Sequence, residues 1–218
     1  MIKDIKEGFK LLKYAGSKKT MTVTTILFFI MGVLYTVFVE VEGLFHFGAF
    51  FVMGLPMFVI QLTQTLLGSE MVVSSDLNYK LNTSIPSYIH LVLSIITYAF
   101  LGILVFIRNI SSLNDIPMER LDSLFIVGGV FSLILAVYLG VCYKYYYQSM
   151  VPFVFVVLLF SYLMYFKGYI DVLCKFNLIT SILIGLGLII IGFILQLTFS
   201  KLCYKKPIVR KSIESFMK

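Results

Sequence analysis

Six apolar runs divide this chain, at residues 21–39, 44–67, 87–107, 123–143, 151–166 and 177–199. Each lies at or near the length of about 17–25 residues that a helix needs to cross a hydrocarbon layer. In lipid every backbone N–H and C=O must be paired within the protein, which leaves helices or closed barrels. Barrel strands alternate over about ten residues. These runs do not alternate, so helices are expected. Phe, Ile, Leu and Val fill all sides of them. Hydrophobic residues make up 60% of the chain and charged residues only 13%, against about 25% charged in a soluble domain. The reading is an all-α membrane protein without a separate soluble domain. The first run exceeds a signal-peptide core of about 7–15 residues, and "VEVEGLF" offers no small-residue cleavage site. It is expected to be retained as a span.

Charge sets the expected orientation. Six spans put both termini on one side. Fourteen of the 18 Lys and Arg fall on that side, and only Arg108, Arg120, Lys167 and Lys175 fall on the other. The positive-inside rule makes the first side the cytoplasm, giving N-in and C-in. The chain then divides into an amphipathic interfacial helix at 1–20, a six-span domain at 21–204 and a basic cytoplasmic tail at 205–218.

The N-terminal stretch "MIKDIKEGFKLLKY" places Ile2, Ile5, Phe9 and Leu12 on one helical face, with Lys3, Lys6, Lys10 and Lys13 beside them. Such a helix lies in the interface, its lysines reaching anionic headgroups. It is expected either to anchor the chain to the bilayer surface or to transmit force into the first span.

Sites for chemistry are sparse. His46 and His90, the two histidines, belong to opposite ends of their spans and cannot share a metal. Cys142, Cys174 and Cys203 are widely spaced, which suits neither a disulfide framework nor a zinc site. No hydrolase or metalloprotease motif is present, and "GSKKT" at 16–20 follows an amphipathic helix where a phosphate loop would follow a strand. No catalytic, metal-binding or cofactor-binding residue is expected in this chain, and no nucleic-acid partner.

The informative polar residues are uncharged. Gly54, Met57, Gln61, Gln64, Thr65 and Gly68 share an arc of about 80° on the second helix. Glutamines facing lipid are costly, so this stripe is expected to face other helices or to line a substrate path. Gln196 in the last span is a similar case. "YKYYYQ" at 143–148 reads as an aromatic belt around Lys144.

The polar island "SSDLNYKLNTSIPSY", residues 74–88, separates the second and third runs. Ser75 and Asp76 suit a helix N-terminus, Leu77 to Leu81 could form one or two turns, and "NTS" ends them. Pro86 then suits the first turn of the third span. The product is a short helix outside the membrane that offers Tyr79 and several hydrogen-bonding side chains. It is either an ordinary solvated loop or a docking knob for a cytoplasmic protein.

This arrangement resembles the ABC-2 class of ABC transporter permeases. Those proteins have an N-terminal amphipathic helix, six spans with both termini inside, and a coupling helix between spans two and three. "SSDLNYKLNTSIPSYIHLVLS" is similar to their short polar helix, then Ser-x-Pro, then a span. "ILAVYLGVCYKYYYQSM" resembles their tyrosine-rich, basic end of span four, and "FILQLTFSKLCYKK" their last span running into a basic tail. The resemblance implies that Ser75, Asp76, Leu77, Asn78, Tyr79 and Lys80 form the coupling helix. It implies cytoplasmic ABC ATPase subunits as partners, with ATP and Mg bound by them, and a second permease copy or homologue. The short loop between runs five and six leaves no room for a re-entrant outer hairpin. That makes a large polysaccharide an unsuitable cargo. The small size of the chain resembles that of permeases that export peptide toxins, bacteriocins or other amphipathic peptides, such as phenol-soluble modulins, and the resemblance implies substrates of that class, exported across a bacterial plasma membrane. A standalone peptide-immunity or regulatory membrane protein is the other reading, and a membrane-embedded enzyme a third.

Overall fold

Uninterrupted apolar sequence closes its own backbone hydrogen bonds only as helix, and helix is what forms. A computed structural model describes residues 18–39, 46–66, 77–110, 118–142, 146–165 and 176–204, together with Lys6, Phe9 and Lys10. In chain order the elements are α1 (Lys18–Val37), α2 (His46–Leu66), α3 (Leu77–Asn82), α4 (Ser84–Ile110), α5 (Met118–Cys142), α6 (Tyr146–Tyr165) and α7 (Leu178–Tyr204). Among the described residues there is no strand. Five helices, α1, α2, α4, α5 and α7, are long and apolar enough to cross a membrane. The sixth, α6, carries a shorter apolar stretch at Val151–Phe160. The protein is thus a multi-pass, all-α membrane protein.

Several boundaries differ from those expected. The third span begins at Ser84, not at residue 87, because "NTS" interrupts the helix only at Thr83. Pro86 still falls in the first turn, where its missing N–H has no helical partner to lose. Tyr146 to Gln148 open α6 instead of lying in a turn. Arg108, expected in a loop, sits in the last turn of α4 and is 1% exposed. Met118 to Asp122, also expected in that loop, form the first turns of α5.

Helices α4 and α5 form the centre. α5 packs on α2, α4, α6 and α7, while α4 packs on α1, α2, α3, α5 and α7. The apolar window of α5 is 72% buried and that of α1 only 17%, so α1 is peripheral. The core joins Met53, Leu101, Leu124, Phe125, Phe131 and Leu135. A second cluster of Ile60, Leu81, Ile85, Ile89, Leu139 and Cys142 fills the end that carries α3. Outward faces are large and apolar. Ile26, Phe38, Ile103, Phe106, Phe155, Leu158, Ile179 and Leu183 are all more than half exposed. A soluble monomer rarely exposes such continuous apolar surface; in a bilayer it is the solvated face.

Lipid tails are as apolar as leucine, so apolarity alone does not hold these helices together; close packing does. α5 and α7 meet through glycine. A Cβ built on Gly129 would lie 2.6 Å from the Gly185 Cα, and one on Gly192 would lie 3.2 Å from the Leu133 Cα. α1 and α2 form a hairpin in the same way, with Gly48 against the Thr36 backbone and Gly32 against Val52. Around it Phe28 makes edge contacts with Phe51 and Phe58, at 5.2 and 4.6 Å.

Candidate functional site

The corner between α3 and α4 is built from side chains that bond back to the chain. The Thr83 hydroxyl donates to the Tyr79 carbonyl at 2.7 Å, and the Ser87 hydroxyl donates to the Thr83 carbonyl at 2.9 Å. Asn82 Nδ2 donates to the Asn78 carbonyl and to Asn78 Oδ1, at 2.8 and 2.7 Å. Ser, Thr and Asn compete with helical bonding in this way, which suits them to breaks. Only Thr83 separates the two helices, and the backbone there still closes a turn, Thr83 N–H donating to the Lys80 carbonyl at 3.3 Å. Leu81 is fully buried and pins α3 to α2 and α5. On the other side Tyr79 and Lys80 are exposed. The Tyr79 ring lies edge-on to Tyr204, in the last turn of α7, with centroids 4.8 Å apart.

Below this corner one buried face runs the length of α4, polar as far as Thr97 and again at Arg108. Thr83, Ser87, His90, Ser94, Thr97, Leu101, Leu104 and Arg108 are all buried, at alternating steps of four and three. That is the spacing of one helix face. His90 Nδ1–H donates to Gln196 Oε1 on α7 at 2.6 Å. The second ring nitrogen, Gln196 Nε2 and Ser94 Oγ are buried and have no hydrogen-bond partner among the described residues. Higher up, the Tyr98 hydroxyl donates to the Ile182 carbonyl at 3.1 Å, beside Gly185, where any side chain would meet the Tyr98 ring. At the far end Arg108 donates to the carbonyls of Thr36 and Val39 at 2.7 and 2.8 Å. It thereby satisfies acceptors that the end of α1 leaves open. His46 Nε2 bonds Ser123 Oγ at 2.9 Å at this same end.

The residues singled out from sequence fall as follows. Of the coupling-helix set, Leu77 opens α3, Asn78 is half-buried, and Tyr79 and Lys80 are exposed. Ser75 and Asp76 lie outside the described residues. In the stripe on α2, Gly54 faces the Phe28 ring, which a Cβ built there would meet at 3.3 Å, and Met57 is half-buried between the two core clusters. Gln61 is half-buried. Gln64 and Thr65 belong to α2, but their side chains, like Gly68, lie outside the described residues. Gln196 is fully buried on α7. Two grooves, of about 510 and 310 Å³, are lined by other residues. Phe9 is helical and exposed; Ile2, Ile5 and Leu12 lie outside the described residues. The structure joins Tyr79 to α7 and Gln196 to α4, and so places both on the α3–α4–α7 contact.

Sequence reasoning weighed His90 only as a metal ligand and Arg108 only as a loop charge, and passed over Tyr204. The signal for two of them was present. From Thr83 to Thr97, polar residues recur on one face of an otherwise apolar span, and Arg108 continues the register. Among the described residues, no group of three or more His, Cys, Asp or Glu could hold a metal ion.

No family model, curated protein or solved structure matches this chain. Any kinship with permeases therefore rests on architecture.

Proposed function

We propose that the chain is the transmembrane permease subunit of an ATP-driven exporter in a bacterial plasma membrane. In this reading six helices span the bilayer with both termini inside, and α3 faces the cytoplasm and docks on an ABC ATPase. The observation that carries it is α3 itself: a short exposed helix, one residue from the longest central helix, presenting Tyr79 and Lys80 while Leu81 anchors it. A plain loop has no need of such an anchor.

The same geometry supports a lever. A push on α3 passes through the Thr83 corner into α4. The His90–Gln196 and Tyr98–Ile182 bonds tie α4 to α7, and the Gly129–Gly185 contact ties α7 to α5. ATP and Mg belong to the partner; this chain supplies the path and the moving helices. Two copies, or this chain and a homologue, would flank the path of an amphipathic peptide.

The test is reconstitution with the candidate ATPase, using Tyr79→Ala and Lys80→Glu. Interfaces concentrate energy in a few anchors, often aromatic, so Tyr79→Ala should weaken coupling by about 1–3 kcal/mol. Lys80→Glu should lower assembly without disturbing the core. Tyr204→Ala separates the internal ring contact from docking, because it loosens α3 from α7 yet leaves the docking face in place. Full assembly, peptide-stimulated ATP hydrolysis and export in both α3 variants would leave α3 a loop and remove the transporter reading.

A further inference from the structure

The buried face that runs from Thr83 along α4 carries hydroxyls at Thr83, Ser87, Ser94 and Thr97. Three of them bond a backbone carbonyl three or four residues back: Thr83 to Tyr79, Ser87 to Thr83 and Thr97 to Ser94, at 2.7, 2.9 and 3.1 Å. Ser94 makes no such bond, and its Oγ is buried with no partner among the described residues. One turn away, His90 Nε2 has none either. Across the contact, Gln196 engages His90 Nδ1 through Oε1 and leaves Nε2 unpartnered. Unpartnered polar atoms thus gather within about one turn of the α4–α7 contact. The three residues are sealed: His90, Ser94 and Gln196 are 2, 1 and 0% exposed, which leaves no hollow the size of a water molecule beside those atoms.

We infer that α4 and α7 part on their α3 side and admit water as far as Ser94, turning about the contact between Tyr98 and Gly185. Opening of this kind needs only the membrane-embedded fold and is independent of any transport role. A buried polar group is costly unless a protein group or a water bonds it. The closed contact offers these three atoms neither. Water between the helices serves all of them: His90 Nε2 accepts, Gln196 Nε2 donates, and Ser94 Oγ does either. Lipid tails have no bond to give.

The direction of entry follows from where polar residues continue. Toward α3 they are Ser87 and Thr83, with Ser200 one turn from Gln196 on α7, all buried. Beyond them Tyr204 meets the exposed Tyr79. From Thr83 to Ser94 this path is about 16 Å long at about 1.5 Å per residue, about half of a hydrocarbon core about 30 Å thick. Away from α3 the same face turns apolar at Leu101 and Leu104, where water finds nothing to bond. The pivot lies between. The Tyr98 hydroxyl donates to the Ile182 carbonyl at 3.1 Å, and its ring occupies the space that a side chain on Gly185 would need. α7 is held to α5 through backbone, with Gly129 against Gly185 and Gly192 against Leu133, so α7 stays with α5 as α4 swings. At the level of His90 the two helices meet through the Tyr88 and Phe193 rings, tilted and 5.8 Å apart. Side chains of that kind slide where backbone contacts do not.

The experiment introduces Ser87→Cys, Ser94→Cys and Leu101→Cys singly into the full chain in lipid nanodiscs. It measures their reaction with aminoethyl methanethiosulfonate, which travels in water as an ammonium ion. Mass spectrometry of the introduced site separates it from Cys142, Cys174 and Cys203. All three positions are buried on the same face, and the smaller side chain at Leu101→Cys can only ease access to that control. Ser94→Cys should react faster than Leu101→Cys by about tenfold or more, because local opening is more frequent than global unfolding. Ser87→Cys should react at least as fast as Ser94→Cys. Adding His90→Leu with Gln196→Leu removes groups that draw water in. In that background the Ser94→Cys rate should fall to the Leu101→Cys rate, and any general loosening cancels in the ratio. Circular dichroism and monodisperse elution check that each variant is folded. A Ser94→Cys rate no greater than that of Leu101→Cys would overturn the opening, and Ser87→Cys slower than Ser94→Cys would overturn entry from the α3 side. An unchanged ratio in the folded double variant would overturn wetting as its cause. Should the double variant not fold, the three single cysteines decide the matter by themselves.

Discussion

His90 and Arg108 both lie on the buried face of α4, and they serve different ends. His90 makes one bond to Gln196 across to α7. Hydrogen bonds between membrane helices are worth about 0.6 kcal/mol on average and about 1.7 at most, so a double-mutant cycle should resolve only a modest coupling. His90→Leu and Gln196→Leu should each lower unfolding stability in detergent. The double variant should be destabilised by less than the sum, by about 0.6–1.7 kcal/mol; strict additivity would show that the two groups do not depend on each other. Arg108 acts on backbone. Its guanidinium serves two carbonyls at the end of α1, and bonds to charged groups contribute about 1.5–3 kcal/mol. Arg108→Leu should cost at least about that much, with Arg108→Gln intermediate because an amide can replace one bond of the two. Equal melting temperatures for wild type and Arg108→Leu would refute this.

At the scale of elements, glycine decides where helices approach. Gly129 and Gly185 meet backbone to backbone, and backbone cannot swing aside as a flexible side chain can. Gly129→Val should therefore force α5 from α7 and cost about 3 kcal/mol, the upper part of the range for overpacking. Gly187, two residues along α7, has nothing within 4 Å of a built Cβ. Gly187→Ala should be neutral or slightly stabilising, since alanine is the better helix former by about 1 kcal/mol in water. Loss of stability in Gly187→Ala comparable with that of Gly129→Val would remove the close-packing account. These contacts also explain what could be read from the sequence. The helices were legible because length and apolarity suffice to define them. Their neighbours were not, because α5 is apolar on nearly every side and the inward face of α7 is marked mainly by small residues, Ser181, Gly185, Gly192 and Ser200, with Gln196 as its one long polar side chain. α4 has a periodic polar face, from Thr83 to Thr97 and again at Arg108, and its buried side could have been read directly. Gln196 stood out as a polar residue in a span, but its partner His90 lies 106 residues away. The short helix was legible over Leu77 to Leu81, within a break in hydropathy. Its attachment through Thr83 and Tyr204 depends on packing that no local pattern announces.

For the whole molecule, charge asymmetry gives a direct check on orientation. If all six apolar runs cross the bilayer, fourteen of the 18 basic residues fall on one side. Cysteines introduced as Glu42→Cys and Asn114→Cys should react with an impermeant maleimide on intact cells. Lys80→Cys and Lys211→Cys should react only after the cells are opened. The reverse pattern would turn α3 away from any cytoplasmic partner.

The tie from Arg108 to α1 also bears on the order in which the protein is made. It joins residues 72 apart in sequence, so translation finishes α1 and the whole of α2 before its donor exists. Until α4 is complete, the last carbonyls of α1 must rely on water or headgroups at the bilayer surface. The arrival of Arg108 ends that dependence and withdraws the helix end from solvent. A nascent chain halted after residue 66 should thus hold an α1–α2 hairpin whose end is open to probes. One released beyond residue 110 should have that end closed. The final turn of α4 acts as a latch on the part of the chain inserted first, and assembly of the N-terminal half completes only when the fourth helix in the sequence has passed through the membrane.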